Sequence, residues 1–156
     1  MKRISAALVL TAILLTLAGC GGGGAATTTP ASTPPDTRMP GTEVKVTGGS
    51  YWMITPAQLA AMARADFFLM NVDDPKTIVI AGTDLFVKLA EIGQNLDKLP
   101  ADKDKKIVVY CIVGNKSRDA SAELVARGYT RVMNLEGGTT RWQQQGYPAV
   151  PYTASP

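Results

Sequence analysis

Short apolar runs and helix-like spacings alternate along the chain from residue 51 onward. Three apolar runs, at residues 67–72, 107–110 and 131–135, are too short for helices and are predicted to be buried strands. Helix-like stretches separate them, and this alternation indicates an α/β domain with a mostly parallel central sheet flanked by helices. In such a sheet, ligands bind just beyond the carboxyl ends of the strands.

Helices are predicted in four places. Thr55 is a favourable N-cap followed by proline, so a helix is predicted to run from there to about residue 65. Leucine and isoleucine spaced three and four apart predict an amphipathic helix over residues 89–99. Helical spacing that ends at a glycine predicts a helix over residues 117–127, and a short helix is predicted over residues 139–145.

The first twenty residues have a different pattern. A positive start (MKR) and an apolar run over residues 4–18 are typical of a secretory signal at residues 1–19. The run is shorter than the about twenty residues that a membrane-spanning helix needs. The sequence LAGC at 17–20 resembles a bacterial lipobox, so we expect lipid on Cys20 and anchoring in the bacterial cell envelope. The alternative is an ordinary signal peptide followed by a coincidental cysteine.

Residues 20–50 are rich in glycine, threonine and proline and contain few large apolar side chains. Such a segment buries too little surface to offset the entropy of ordering, so we expect a disordered tether. A flexible coil of about thirty residues reaches on the order of 30 Å. The predicted organisation is therefore a signal peptide (1–19), a lipidated tether that meets the membrane through its lipid (20–50), and one folded domain (51–156).

Composition restricts the chemistry of that domain. The chain has no histidine, which excludes a histidine-based metal site, a Ser-His-Asp triad and a Cys–His pair. Apart from Lys2 and Arg3, basic residues exceed acidic ones by one, which gives no electrostatic reason to expect nucleic-acid binding. No metal and no cofactor are expected.

Cys111 is the one cysteine after residue 20, and it directly follows the second predicted strand. One interpretation is a small buried hydrophobic residue. Two observations favour a functional thiol instead: the polar, turn-forming residues 114–117 (GNKS) follow it, and an unpaired thiol in an exported chain is open to oxidation. Backbone amides from Ile112 to Ser117, with the start of the next helix, could surround the sulfur and stabilise negative charge there.

The residues around Cys111 resemble the C-terminal half of a rhodanese (sulfurtransferase) domain. The resemblance covers residues 108–150: a strand ending in cysteine, a loop with glycine and a basic residue, and a helix ending in Gly-Tyr. It continues with V-x-N-L-x-G-G, then Trp142, then Gly-x-Pro. Residues 51–106 match more loosely. The resemblance implies a single rhodanese-like domain of α/β fold.

The resemblance also implies a mechanism. In rhodaneses a cysteine thiolate takes sulfur from a small donor such as thiosulfate, and the persulfide gives it to a thiol or other nucleophilic acceptor. Cys111 would be the catalytic nucleophile. The substrate-binding loop after it would be Ile112, Val113, Gly114, Asn115, Lys116 and Ser117. Lys116 stands where the family most often has arginine, so donor specificity could differ.

The first half departs from the family pattern. Residues 71–73 (NVD) replace Asp-Val-Arg, and residues 79–82 (VIAG) lack the histidine that usually precedes Ile-Pro-Gly. Two other functions therefore stay open: a non-catalytic rhodanese-like binding or sulfur-relay module, and a phosphatase or arsenate reductase. The latter enzymes have a longer loop whose arginine would fall at Ser117, so the loop length favours sulfur over phosphate.

Overall fold

The computed structural model describes residues 39–74 and 78–153 of the chain. The strands in these ranges are β1 (Thr42–Val46), β2 (Gly49–Ile54), β3 (Phe68–Asn71), β4 (Ile78–Ile80), β5 (Leu85–Phe86), β6 (Ile107–Tyr110), β7 (Val132–Leu135) and β8 (Ala149–Pro151). The α-helices are α1 (Pro56–Ala60), α2 (Asn115–Ala126) and α3 (Gly138–Gln144), and 3-10 helices cover Arg64–Asp66, Leu89–Gln94 and Leu96–Lys98.

The central sheet has the strand order β1-β2-β7-β6-β3-β5. β1 and β2 form an antiparallel hairpin, whereas every other neighbouring pair in this sheet is parallel. β4 and β8 form a separate antiparallel pair. The predicted α/β fold with a mostly parallel central sheet and flanking helices is confirmed.

Helices cover both faces of the central strands. β6 and β7 are buried at every position, which suits the apolar character of all their residues except Asn134. On one face α2 packs Ala120 and Leu124 into a cluster that includes Cys111. On the other face α1 and α3 contribute Leu59 and Trp142 to a second cluster. The sheet therefore holds β6 in its middle, with its carboxyl end next to the start of α2.

The prediction of a disordered tether up to residue 50 is wrong for its last part. β1 occupies Thr42–Val46, and its two valines, Val44 and Val46, pack against the core cluster under α2. Gly48, at φ 91°, allows the tight turn into β2. The folded domain therefore begins near Met39, which is itself buried, and not at residue 51. Residues 1–38, with the predicted signal, Cys20 and the rest of the tether, lie outside the described residues.

The predicted amphipathic helix over residues 89–99 is also wrong. Two 3-10 helices, Leu89–Gln94 and Leu96–Lys98, take its place. Between them Asn95 has non-helical angles, and its side-chain amide donates a hydrogen bond to the Glu91 carbonyl at 2.9 Å. Such local bonds compete with the α-helical ladder, which explains why apolar spacing alone did not give an α-helix.

The first predicted helix is found, but it is shorter than expected. Thr55 forms the predicted N-cap, with its hydroxyl oxygen accepting from the Gln58 amide at 3.2 Å and the Gln58 side chain accepting from the Thr55 amide at 2.9 Å. The α-helix ends at Ala60, and the 3-10 helix Arg64–Asp66 follows. The helices α2 and α3 and the strands β3, β6 and β7 lie within two residues of their predicted bounds.

Candidate active site

Cys111 is the first residue after β6, at the carboxyl end of the strand that the parallel strands β3 and β7 flank. Its side chain is 1% exposed and carries a free thiol. The buried position comes from the apolar β6 strand, whose neighbours cover it on both faces. Parallel sheets bind ligands at this edge, so the predicted location of Cys111 agrees with the observed one.

A tight backbone turn brings an amide onto the sulfur. Gly114 has left-handed angles, with φ 95° and ψ −8°, and its amide donates a hydrogen bond to Cys111 Sγ at 3.0 Å. Ser117, in the first turn of α2, lies on the same sulfur, with 3.6 Å between its Oγ and Cys111 Sγ. The Ser117 hydroxyl donates to the Gly114 carbonyl at 3.1 Å. Gly114 and Ser117 are thus the predicted loop residues that contact the sulfur directly.

The start of α3 fixes the other side of this turn. The amides of Thr139 and Thr140 donate to the carbonyls of Cys111 and Ile112 at 2.9 and 3.0 Å. Gly138, at φ 57°, must be glycine because a Cβ there would overlap the same two carbonyl oxygens. These contacts hold the loop backbone in place. They also give hydrogen-bond acceptors to amides at the start of α3 that have no partner within the helix.

The Lys116 side chain is paired with an acid beside the Cys111 loop. Its ammonium binds Asp73 Oδ1 at 2.6 Å, in a pair whose acid is 11% exposed and whose base is 57% exposed. Burial acts to raise the pKa of Asp73, but hydrogen bonds from Lys116 and from the backbone amides of Asp74 and Ile112, with the Lys116 charge, hold that pKa below its ordinary value. The hydrogen bond and the charge of Asp73 raise the pKa of Lys116.

A hydrogen bond between Asn71 and the Asp73 backbone positions Asp73 beside the loop. The Asn71 side-chain oxygen accepts a hydrogen bond from the Asp73 amide at 2.8 Å, which turns the chain just after β3. Asn71 is itself buried. Because β3 is the parallel neighbour of β6, this turn places the Asp73 carboxylate beside the Cys111 loop, where it binds Lys116.

The remaining predicted loop residues have other surroundings. Ile112 and Val113 are 48% and 57% exposed, although both are apolar. Of the backbone amides that were expected to surround the sulfur, the Gly114 amide donates a hydrogen bond to it. Asn115 begins α2 and is exposed.

Sequence reasoning missed Asp73 as part of the site. Residues 71–73 were noted as a departure from the family pattern, and no site role was predicted for Asp73. The available signal was position: Asp73 follows a buried strand at the carboxyl edge, as Cys111 does. Knowing that β3 and β6 are neighbours would have brought the two together.

The described part of the chain offers no group of three or more histidine, cysteine, aspartate or glutamate residues that could hold a metal ion. Within the same ranges, no helix has the length and apolar character needed to cross a bilayer.

Comparisons with known proteins agree on one family. The sequence model of the rhodanese-like domain matches residues 70–145. Thiosulfate sulfurtransferase GlpE of Pseudomonas fluorescens is 31% identical over 113 residues, which are 66% of this chain and 94% of that protein. A sulfurtransferase of Allochromatium vinosum is 42% identical over 55 residues, which are 35% of this chain but only 50% of that relative.

A solved structure supports the same family. The rhodanese-related protein of Thermoplasma volcanium superposes with a TM-score of 0.53 at 26% identity, covering 63% of this chain and 96% of that chain. The family match over residues 70–145 includes β6, the Cys111 loop and α2. This chain belongs to the rhodanese-like domain family.

Proposed function

We propose that this chain is a sulfurtransferase that moves sulfane sulfur from a donor such as thiosulfate, through a persulfide on Cys111, to a nucleophilic acceptor. The observation that carries the proposal is the Gly114 amide on Cys111 Sγ at 3.0 Å, at the point where β6 meets α2. A buried sulfur with an amide aimed at it and a helix start behind it can hold negative charge. The sulfurtransferase names of two relatives support the same chemistry.

In the first step the Cys111 thiolate attacks the outer sulfur of the donor. A new S–S bond forms to Cys111 while the donor's S–S bond breaks, and its electron pair leaves on the remainder of the donor, which is sulfite for thiosulfate. The Cys111 persulfide keeps the transferred sulfur. The Gly114 amide and the start of α2 stabilise the charge that this sulfur carries.

In the second step an acceptor nucleophile attacks the outer sulfur of the persulfide. The S–S bond to Cys111 breaks, and its electron pair returns to Cys111 as thiolate. Ser117, 3.6 Å from Sγ, can turn its hydroxyl from the Gly114 carbonyl toward the ionised sulfur. The leaving thiolate is then stabilised by two hydrogen bonds instead of one.

Arg118 bears on the phosphatase alternative. It lies one position beyond the residue at which a phosphatase loop would place arginine. Its charge acts on Tyr51 of β2, where it lowers a tyrosine pKa that burial raises. The position of Arg118, one residue beyond the phosphatase arginine, supports sulfur chemistry over phosphate chemistry at Cys111.

We also propose that the domain is held at the bacterial cell envelope by lipid on Cys20. The sequence LAGC and the apolar run before it support this proposal. The folded domain begins near Met39, so the tether proposed between lipid and domain is shorter than residues 20–50.

The direct test follows sulfur onto Cys111 and off again. The full chain in detergent is incubated with thiosulfate, trapped with iodoacetamide and digested with trypsin. The mass of the peptide of residues 107–116 is then measured by mass spectrometry. We expect one added sulfur atom on Cys111, which a small thiol then removes, and none on the Cys111→Ser chain.

Two results would contradict the proposal. Loading without transfer to any thiol would indicate a binding or relay module. Absence of loading with thiosulfate and with an organic persulfide would exclude sulfurtransferase chemistry at Cys111.

A further inference from the structure

The basic side chains around the Cys111 loop are largely compensated by acids. Three ion pairs lie on the elements that meet at this edge of the sheet: Lys116–Asp73 at 2.6 Å, Lys88–Asp74 at 3.9 Å and Arg141–Glu136 at 2.5 Å. Arg118 is two residues from Lys116, or about 200° around the helix, and its charge acts on Tyr51. The side of the loop where Lys116 lies therefore carries little net positive charge.

Of these acids, Asp73 has the largest effect on the charge beside the Cys111 loop. Its carboxylate is mostly buried and binds the Lys116 ammonium, so the basic group of the loop that could bind an anion is already engaged. Thiosulfate is a dianion, and its binding beside a fixed carboxylate must overcome repulsion and displace Lys116. A donor with one negative charge or none is repelled less by Asp73 and has less need to displace Lys116.

Part of the exposed surface of the loop is apolar, beside the exposed polar residues Asn115 and Lys116. Ile112 and Val113 present 48% and 57% of their surface to solvent directly beside the buried sulfur. An inorganic anion gains nothing from these two side chains, whereas an organic group attached to sulfur can pack on them and bury apolar surface.

We propose that Asp73 is a specificity-determining residue that adapts Cys111 to an organic persulfide, R–S–SH with an uncharged carrier R, in preference to thiosulfate. The proposal rests on the sulfurtransferase function proposed above and names its donor class. The Cys111 thiolate attacks the outer sulfur of R–S–SH, and the donor's S–S bond breaks. The electron pair leaves on R–S⁻, while the proton stays on the transferred sulfur as Cys111–S–SH.

The test compares two donors on four full-length chains in detergent. The donors are thiosulfate and benzyl hydropersulfide, at low and high salt, and the measured quantity is the second-order rate constant for sulfur loading of Cys111. The chains are the parent, Asp73→Asn, the double variant Asp73→Asn with Lys116→Met, and Asp97→Asn. Asparagine keeps the size of the side chain without its charge, and Asp97 is an exposed acid on the 3-10 helix Leu96–Lys98.

We expect the parent to load faster from the hydropersulfide. Asp73→Asn should raise the thiosulfate rate constant about tenfold at low salt, the scale of one rim charge acting on an anion, with a smaller gain at high salt. Loading from the hydropersulfide should change by less than about twofold, because the charge of Asp73 repels a donor with an uncharged carrier only weakly. The double variant should keep only the part of the gain that comes from removing the Asp73 charge, because the Lys116 ammonium is no longer present to bind the anion, and Asp97→Asn should behave as the parent.

Failure of this inference differs from failure of the proposed function. If Cys111 loads but Asp73→Asn raises the thiosulfate rate no more than Asp97→Asn does, Asp73 does not set donor choice and the sulfurtransferase function stands. A parent chain that loads faster from thiosulfate would overturn the donor preference directly. If neither donor loads any of the four chains, the sulfurtransferase function is overturned and the inference falls with it.

Discussion

At the scale of single residues, the Cys111 sulfur depends on groups that are already in place. Ser117 is fully buried, and its hydroxyl is held by the Gly114 carbonyl within 3.6 Å of Sγ. Moving one hydroxyl hydrogen from a carbonyl to a thiolate requires only rotation about one bond. The site can therefore respond to charge on sulfur without a backbone movement.

Ser117→Ala should slow sulfur loading of Cys111 by about tenfold to hundredfold, because a hydrogen bond to a charged group contributes about 1.5–3 kcal/mol. Loading kinetics with trapping by iodoacetamide measure this effect. Ser121→Ala is the matched control, since Ser121 is equally buried on the same helix but donates to the Ser117 carbonyl at 2.8 Å. Equal loading rates in the two variants would mean that the Ser117 hydroxyl has no role at the sulfur.

The Asp73–Lys116 pair predicts a pH dependence of folding. The pKa of Asp73 is held below its ordinary value of 3.8, so the unfolded chain takes up a proton at higher pH than the folded one. The stability that this carboxylate contributes is complete above pH 3.8 and is lost as the pH falls through the lower, folded-state pKa. The parent should therefore be more stable than Asp73→Asn at neutral pH, with the difference shrinking in acid.

Urea unfolding of both chains over a pH series checks this prediction. Asp97→Asn serves as the control, because Asp97 is exposed and its loss should leave no comparable pH trend. A stability difference between the parent and Asp73→Asn that stays constant into strong acid would show that the ion pair does not stabilise the fold.

At the scale of elements, the site is a junction of β6, α2 and α3. The strand supplies the buried sulfur, α2 supplies Ser117, and the start of α3 binds the carbonyls of Cys111 and Ile112. None of these elements forms the site alone. The close approach of α3 to the loop requires a residue without Cβ at Gly138.

Gly138→Ala should therefore destabilise the fold and impair sulfur loading together. Left-handed strain costs about 1–3 kcal/mol, and the overlap with the two carbonyls adds to that cost. Gly128→Ala is the control, because Gly128 also has positive φ, at 89°, but an added Cβ would meet nothing within 4 Å. It should lose about 1–2 kcal/mol of stability from strain alone and load normally. Normal loading by Gly138→Ala would mean that α3 does not fix the loop.

The same elements show what could be predicted from sequence. β3, β6 and β7 were predictable because strands buried on both faces are continuous apolar runs. β1 was not, because its two valines lie in a segment whose average composition suggested disorder. The Asp73–Lys116 pair joins residues 43 positions apart, so it depends on strand order, which local patterns do not contain.

At the scale of the whole molecule, the predicted location of the domain depends on the first twenty residues. The predicted signal and Cys20 lie outside the described residues, so envelope anchoring stays a prediction from LAGC and its flanks. Cys20→Ala should prevent lipid attachment and leave the chain unprocessed or released. Radiolabelled palmitate and membrane fractionation measure this, with Cys111→Ser as the cysteine control. A Cys20→Ala chain that is still labelled and membrane-bound would contradict the prediction.

The hairpin that replaced part of the expected tether has a consequence for solubility. Among the described residues β1 is an edge strand, and the backbone groups on its outer side could recruit a strand from another copy of the chain. Its outward positions carry exposed Glu43 and Lys45, whose charges resist such pairing because burying them would be costly. Chains crowded on a surface would meet edge to edge often, and these two charges would keep them separate.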